Sequence, residues 1–222
     1  MTIKESSTLF QQPLNFVHGI EEGKHIVLFY EELEYAKMIS FQFIKNGLAH
    51  QKDCSYVSEE EEEAVKREML DNGIDVKKFM QNNQLHIYQV TSLTNYNPRD
   101  PRKIKEGKEE VAERRDCIYN YSAILENPSK AGQSDRIVLR CVYKVNSEEQ
   151  IKSNLKWEHD YRFKSLKNSG ATLVCVYPVN DIIPTISDST GPLGKWMHDL
   201  LEIYDGVIFA RRFWKGVAFR LA

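Results

Sequence analysis

Five stretches of this chain are apolar runs of strand length with almost no polar interruption: HIVLFY at His25–Tyr30, CSYV at Cys54–Val57, LHIYQV at Leu85–Val90, IVLRCVYKV at Ile137–Val145 and ATLVCVYPV at Ala171–Val179. A strand with one wet face alternates apolar and polar residues, whereas a strand covered on both faces does not. The runs therefore predict a mostly parallel central sheet with helices on both faces. The segments between them supply those helices. Leu33–His50 carries apolar residues at Tyr35, Met38, Ile39, Phe41, Phe43 and Ile44, with Gly47 placed as a stop signal. Ser58 and Glu61 have capping-box spacing, Asn72-Gly73 ends the helix that follows, and Asp75 caps a short helix through Gln81.

Further along, the spacing predicts a polar loop at 91–108, a helix over 109–125, a turn-rich loop at 127–134 and a helix from Ser147 to Asn168. A short helix at Leu193–Ile203 precedes two runs, Gly206–Arg211 and Gly216–Leu221, that read as a C-terminal β-hairpin. Residues 1–22 read as a polar lead-in. The length of 222 residues suits one domain over 1–222. A net charge of −2 gives no general attraction to nucleic acid or an anionic membrane. No run is long enough to span a bilayer and MTIKESSTLFQQPLNF has no secretory apolar core, so a cytoplasmic protein is expected. Cys54, Cys117, Cys141 and Cys175 lack metal-ligand spacing, which argues against a metal site.

The first strand-to-helix joint of such a sheet is a favoured phosphate site, where glycines admit the phosphate, a lysine meets it and a Ser or Thr holds magnesium. Here the joint reads YEELEYAK, Tyr30 to Lys37. It has no glycine, and Glu31, Glu32 and Glu34 repel a polyphosphate. The flanking residues are nonetheless specific. HIVLFY followed by FQFIKNGL resembles the first strand and helix of KaiC-type ATPases of the RecA superfamily, with Ala36 at the position of the phosphate-binding lysine and Lys37 at that of the Ser or Thr. CSYVSEEEE, NGIDVKKFMQNNQLHIYQV, SGATLVCVYPV and IYDGVIFARR are similar to its later elements. DRIVLRCVY places Arg140 where that family ends a strand in aspartate. The whole resembles the MEDS family, a sensory domain of methanogens and methylotrophs related to a dichloromethane-responsive regulator. The resemblance implies a RecA-like three-layer sandwich without Walker motifs, used to sense a small molecule and not to hydrolyse nucleotide.

Tyr30, Tyr56, Tyr88, Tyr143 and Tyr177 stand at or near the ends of the five runs. If the strands are parallel, these residues approach the edge where α/β proteins bind ligands, and tyrosine suits a small, weakly polar molecule. Strand propensity and core packing account for the same residues without a ligand. Arg140 in a buried run needs an anion, and Glu31, Glu34 or Glu59 are candidates. Glu59–Glu61 otherwise read as acidic residues at a helix start. His25 reads as capping or packing at the amino end of its strand, and His86 as a satisfied strand residue. The candidate ligand site is thus Tyr30, Glu31, Tyr56, Glu59, Tyr88, Arg140, Tyr143 and Tyr177, with no catalytic residues, no cofactor and no metal. The expected function is a non-catalytic sensory or regulatory domain that binds a small, hydrophobic or one-carbon compound or a signalling protein, with self-association as a further means of output. The alternatives are an ATPase with an unconventional phosphate site and a ligand-free assembly scaffold.

Overall fold

The computed structural model describes residues 11–89, 136–140, 170–179, 198, 201–213 and 215–221. Their strands are β1 (His25–Tyr30), β2 (Cys54–Ser58), β3 (Leu85–Gln89), β4 (Arg136–Arg140), β5 (Thr172–Pro178), β6 (Gly206–Arg212) and β7 (Lys215–Arg220), joined in one sheet of order β3-β2-β4-β5-β1-β6-β7. Every neighbouring pair is parallel except the antiparallel β6–β7 hairpin. β1 lies in the interior with β5 on one side and β6 on the other, which explains why its six residues are all buried.

The described helices are α1 (Pro13–His18), α2 (Leu33–Ala49), α3 (Glu62–Asp71) and α4 (Val76–Gln81). Strand alternation sorts the core into two layers. Ile26, Leu28, Tyr30, Tyr56, Val138, Val174 and Val176 pack with the apolar residues of α1 to α4 on one face. Val27, Phe29, Val57, Leu139, Leu173 and Cys175 pack on the other face with Ile203 and Tyr204. Because β1 to β6 all run the same way, Tyr30, Ser58, Gln89, Arg140, Pro178 and Arg212 mark a common carboxyl edge.

Local chemistry departs from the sequence reading at three points. The lead-in contains helix α1, begun by Pro13 at its first turn and fixed by burial of Phe16 and Val17. Gln11 also forms an antiparallel bridge with Ala218 at the outer side of β7. Gly47 does not stop α2, which continues to Ala49. A β-carbon at Gly47 would lie 2.6 Å from Arg136 Cδ and 2.7 Å from Cys54 Sγ, so this glycine admits the sheet against the helix. Ser58 is the last residue of β2 and not a helix cap; its Oγ accepts the Glu60 N–H at 3.3 Å, and α3 begins only at Glu62. Asp75 does cap α4, accepting the Lys78 N–H at 3.1 Å. Asn72 and Gly73, the latter at φ +75°, close α3 as expected. The predicted loops and helices across 91–134 and 147–168, most of Leu193–Ile203, the continuation of β4 beyond Arg140, and Cys117 and Cys141 lie outside the described residues.

Replacing Gly47 by alanine pits a helix-propensity gain of about 1 kcal/mol against an overpacking cost of about 1–3 kcal/mol. Both neighbours lie on the buried side of α2, so overpacking wins. Gly47→Ala is expected to destabilise the fold by about 1–2 kcal/mol in urea denaturation; a more stable variant would show that the contact relaxes freely.

Candidate functional site

The carboxyl edge assembles its charged residues from three elements. Ser58 and Arg140 are register partners on the neighbouring strands β2 and β4. Side-chain alternation puts Arg140 on the same face as Val138 and Tyr56, the face covered by α2. The Ser58 turn then carries Glu60 over the end of β4. α2 begins at Leu33 and delivers Lys37 from its first turns, while α3 delivers Glu68.

These groups form one network. Glu60 bridges two cations, with Oε1 2.5 Å from Lys37 Nζ and Oε2 2.5 Å from Arg140 Nη2. Lys37 also donates to Glu68 Oε1 at 2.9 Å and lies 2.7 Å from Glu68 Oε2. The cations are the buried partners: their side chains are 12% (Lys37) and 7% (Arg140) exposed, against 26% for Glu60 and 40% for Glu68. Two positive and two negative charges balance, as burial demands. Tyr56 lies beneath them, fully buried and packed on Phe41 with ring centroids 5.3 Å apart. Arg140 Nε is buried without a hydrogen-bond partner among the described residues, and the Tyr56 hydroxyl lies against the Arg140 side chain. Burial pushes the Tyr56 hydroxyl well above the usual tyrosine range; Arg140 pulls it partly back, while Glu60 and Glu68 push it further up.

The acidic strand-to-helix joint is turned toward the hairpin. Glu31 Oε1 accepts from Arg211 Nε at 2.8 Å, and the Glu31 N–H donates to Ala210 O at 3.0 Å. Glu32 Oε2 accepts the Phe213 N–H at 3.2 Å, and Phe213 packs on Tyr35 with ring centroids 5.5 Å apart. Glu34 is exposed and Glu59 partly so. The carboxylate that answers Arg140 is therefore Glu60, and not Glu31, Glu34 or Glu59. Chain tracing alone favoured the nearer-looking joint; the crossover order, which sets β4 directly beside β2, selects the turn after β2 instead. The joint thus has a second cation besides Lys37, Arg211 paired with Glu31.

The tyrosines divide between the faces. Tyr30 and Tyr56 lie in the layer under α2, whereas Tyr177 and the partly buried Tyr88 lie in the opposite layer. Tyr143 lies outside the described residues. A cleft of about 480 Å³ opens instead beside the hairpin, lined by Phe209, Arg211, Arg212, Lys215, Gly216 and Val217. His25 sits at the amino end, its Nε2 3.4 Å from Cys175 Sγ and its ring 4.2 Å from that of Tyr204, a buried packing position. His86 Nε2 lies 3.1 Å from Asn83 O and its ring stacks on Tyr88. Among the described residues no cluster of His, Cys, Asp and Glu is arranged to hold a metal, and no helix is long and apolar enough to cross a membrane.

Lys37, Glu60 and Glu68 are the members of this network that strand-end reasoning missed. The available signal was the two-residue offset of Glu60 from a strand end facing an arginine.

The described residues thus define a mixed α/β protein with a mostly parallel sheet whose carboxyl edge carries the chain's own ion pairs. The family model for MEDS, the methanogen/methylotroph, DcmR sensory domain, matches residues 24–189, and the chain belongs to this family of sensory domains. The match runs from β1 through β5 and so contains Lys37, Glu60, Glu68 and Arg140. No curated protein matches the chain.

A double-mutant cycle measures the central pair. Arg140→Met and Glu60→Gln are expected to show a coupling of about 1–3 kcal/mol in urea denaturation, and a coupling near zero would mean that the pair contributes only shape. Tyr56 generates a pH signature. The unfolded chain loses the tyrosine proton near 10.0, whereas the folded chain retains it. The stabilisation is therefore complete below pH 10 and falls away as pH rises above it. Relative to wild type, Tyr56→Phe should lose less stability between pH 9 and pH 11, the slopes differing above pH 10 by up to about 1.4 kcal/mol per pH unit. Parallel slopes would place the Tyr56 hydroxyl in a wet environment.

Proposed function

We propose that this chain is a non-catalytic sensory domain on a degenerate RecA/KaiC-like scaffold, which binds a small molecule or a signalling protein at the carboxyl edge of the sheet and does not hydrolyse nucleotide. One observation carries this reading: Glu60 lies between Lys37 and Arg140, so the cations available to a phosphate are already neutralised by the protein's own carboxylate. The joint adds three more carboxylates and lacks glycine. A phosphate approaching it meets side chains where a nucleotide site presents main-chain N–H groups.

Membership of a sensory-domain family supports the same reading. So does the sheet, whose interior strand β1 leads directly into the acidic joint and α2. Within this proposal the ligand-edge residues are Tyr30, Glu31, Tyr56, Glu59, Tyr88, Arg140 and Tyr177, divided between the two faces of the sheet, together with Tyr143, which lies outside the described residues. A ligand that reaches this edge moves the turn carrying Glu60 and thereby α3, and a partner protein or a second copy of the chain reads that movement. Among the described residues the carboxyl edge shows no nucleophile held against a base, in keeping with this reading. Within the same proposal the domain acts in the cytoplasm and its signal is carried by something other than a nucleoside triphosphate.

Calorimetric titration with ATP and magnesium tests this directly. The expected result is no saturable heat and no phosphate release, together with a co-purified small molecule or a discrete oligomer in native mass spectrometry. Saturable nucleotide binding that Lys37→Met abolishes would overturn the proposal.

A further inference from the structure

The Lys37–Glu60–Arg140 network is charge-balanced yet incompletely bonded. Glu60 meets Arg140 through Nη2 only. The adjacent Nε is buried with no hydrogen-bond partner among the described residues, and the Tyr56 hydroxyl, which lies against the Arg140 side chain, keeps its proton free to donate. Arginine binds a carboxylate best through two parallel N–H donors, and leaving one of them dry is costly. Glu60 divides its two oxygens between Arg140 and Lys37, on different elements. Its own backbone N–H is engaged by Ser58 Oγ at 3.3 Å, which ties the residue to the turn. A tethered carboxylate in that position serves both cations partially.

An untethered carboxylate is free to do better. Seated on Arg140, it can accept from Nε and Nη2 together and receive the Tyr56 hydroxyl as a third donor, while Lys37 remains paired with Glu68. We propose that Glu60 is an internal stand-in for a small monocarboxylate ligand, which displaces it from Arg140 and releases the turn that leads into α3. This inference rests on the sensory reading above and assigns its ligand class. Glu60 competes at the high effective concentration of an attached group, so the ligand prevails only through the bonds that Glu60 leaves unmade. The size of the ligand follows from the same geometry: the space that Glu60 vacates is that of a carboxylate with a short apolar stem. A polyphosphate would bring several charges toward only two cations, beside Glu31, Glu32 and Glu34.

Chemical rescue tests the proposal. Formate and acetate are the probes, with chloride at equal ionic strength as control and inorganic phosphate as comparator. Glu60→Ala removes the stand-in and should lower the thermal midpoint. Acetate or formate at tenfold its dissociation constant should then raise that midpoint by about 3–6 °C, phosphate should do less, and chloride should have no effect. Adding Arg140→Met should abolish the rescue. If Glu60→Ala does not fold, Glu60→Gln, which keeps the packing and removes the charge, takes its place. In the wild-type chain, acetate should increase amide exchange at residues 59–63 while leaving β1 unchanged. Three results would overturn the proposal: no rescue by either carboxylate, rescue that survives Arg140→Met, or a wild-type turn whose exchange acetate leaves unaltered. These outcomes are distinct from failure of the sensory reading. A different small molecule found in native mass spectrometry would end the carboxylate assignment and keep the sensory role, whereas saturable ATP binding would end both.

Discussion

Two cations that cannot reach water determine how the carboxyl edge of this sheet is built. Arg140 closes β4 and Lys37 rises from the first turns of α2, and neither side chain is more than 12% exposed. Charges so withdrawn from solvent require anions at contact distance. Glu60 and Glu68 supply them, and to do so the β2–α3 connection must fold back over β4. The turn at Ser58 and the start of α3 at Glu62 place Glu60 and Glu68 to do so. Among the described residues this sheet edge therefore carries the chain's own ion pairs.

The two core layers extend this logic. One layer, under α2, combines hydrophobic packing with the ion network; the other is apolar up to the His25–Cys175 contact near the amino end. Electrostatic and hydrophobic contributions are thus separated by the thickness of the sheet.

Much of the sheet was legible in the sequence because burial on both faces writes strands as apolar runs. His25–Tyr30 matches β1 residue for residue, and the terminal pair of runs is the β6–β7 hairpin. The failures came where one residue type serves several physical ends. Gly47 looked like a helix stop, yet its missing side chain makes room for Arg136 and Cys54. Ser58 had the spacing of a cap and serves as a turn acceptor. Helix α1 is too short for periodicity and is held by Phe16 and Val17 in the core. At the site, the need of Arg140 for an anion was readable from its strand, but the identity of that anion depends on β4 inserting beside β2. Linear order conceals such adjacency: Glu60 and Arg140 are far apart along the chain and neighbours only through the sheet. The tyrosines at strand ends divide between the two layers for the same reason, since a single step in register sends a side chain to the opposite face.

The short bridge between Gln11 and Ala218 bears on how the molecule avoids its own copies. β7 ends the sheet, and a terminal strand presents main-chain donors and acceptors that invite another strand. Gln11 engages Ala218 with bonds of 2.9 Å in both directions, N–H to carbonyl each way, and Pro13 packs close to Gly216 where no strand could be continued. Part of the segment that read as a polar lead-in thus covers the outer side of the last strand. Removing Gln11 would uncover the main-chain donor and acceptor of Ala218 on the outer side of β7.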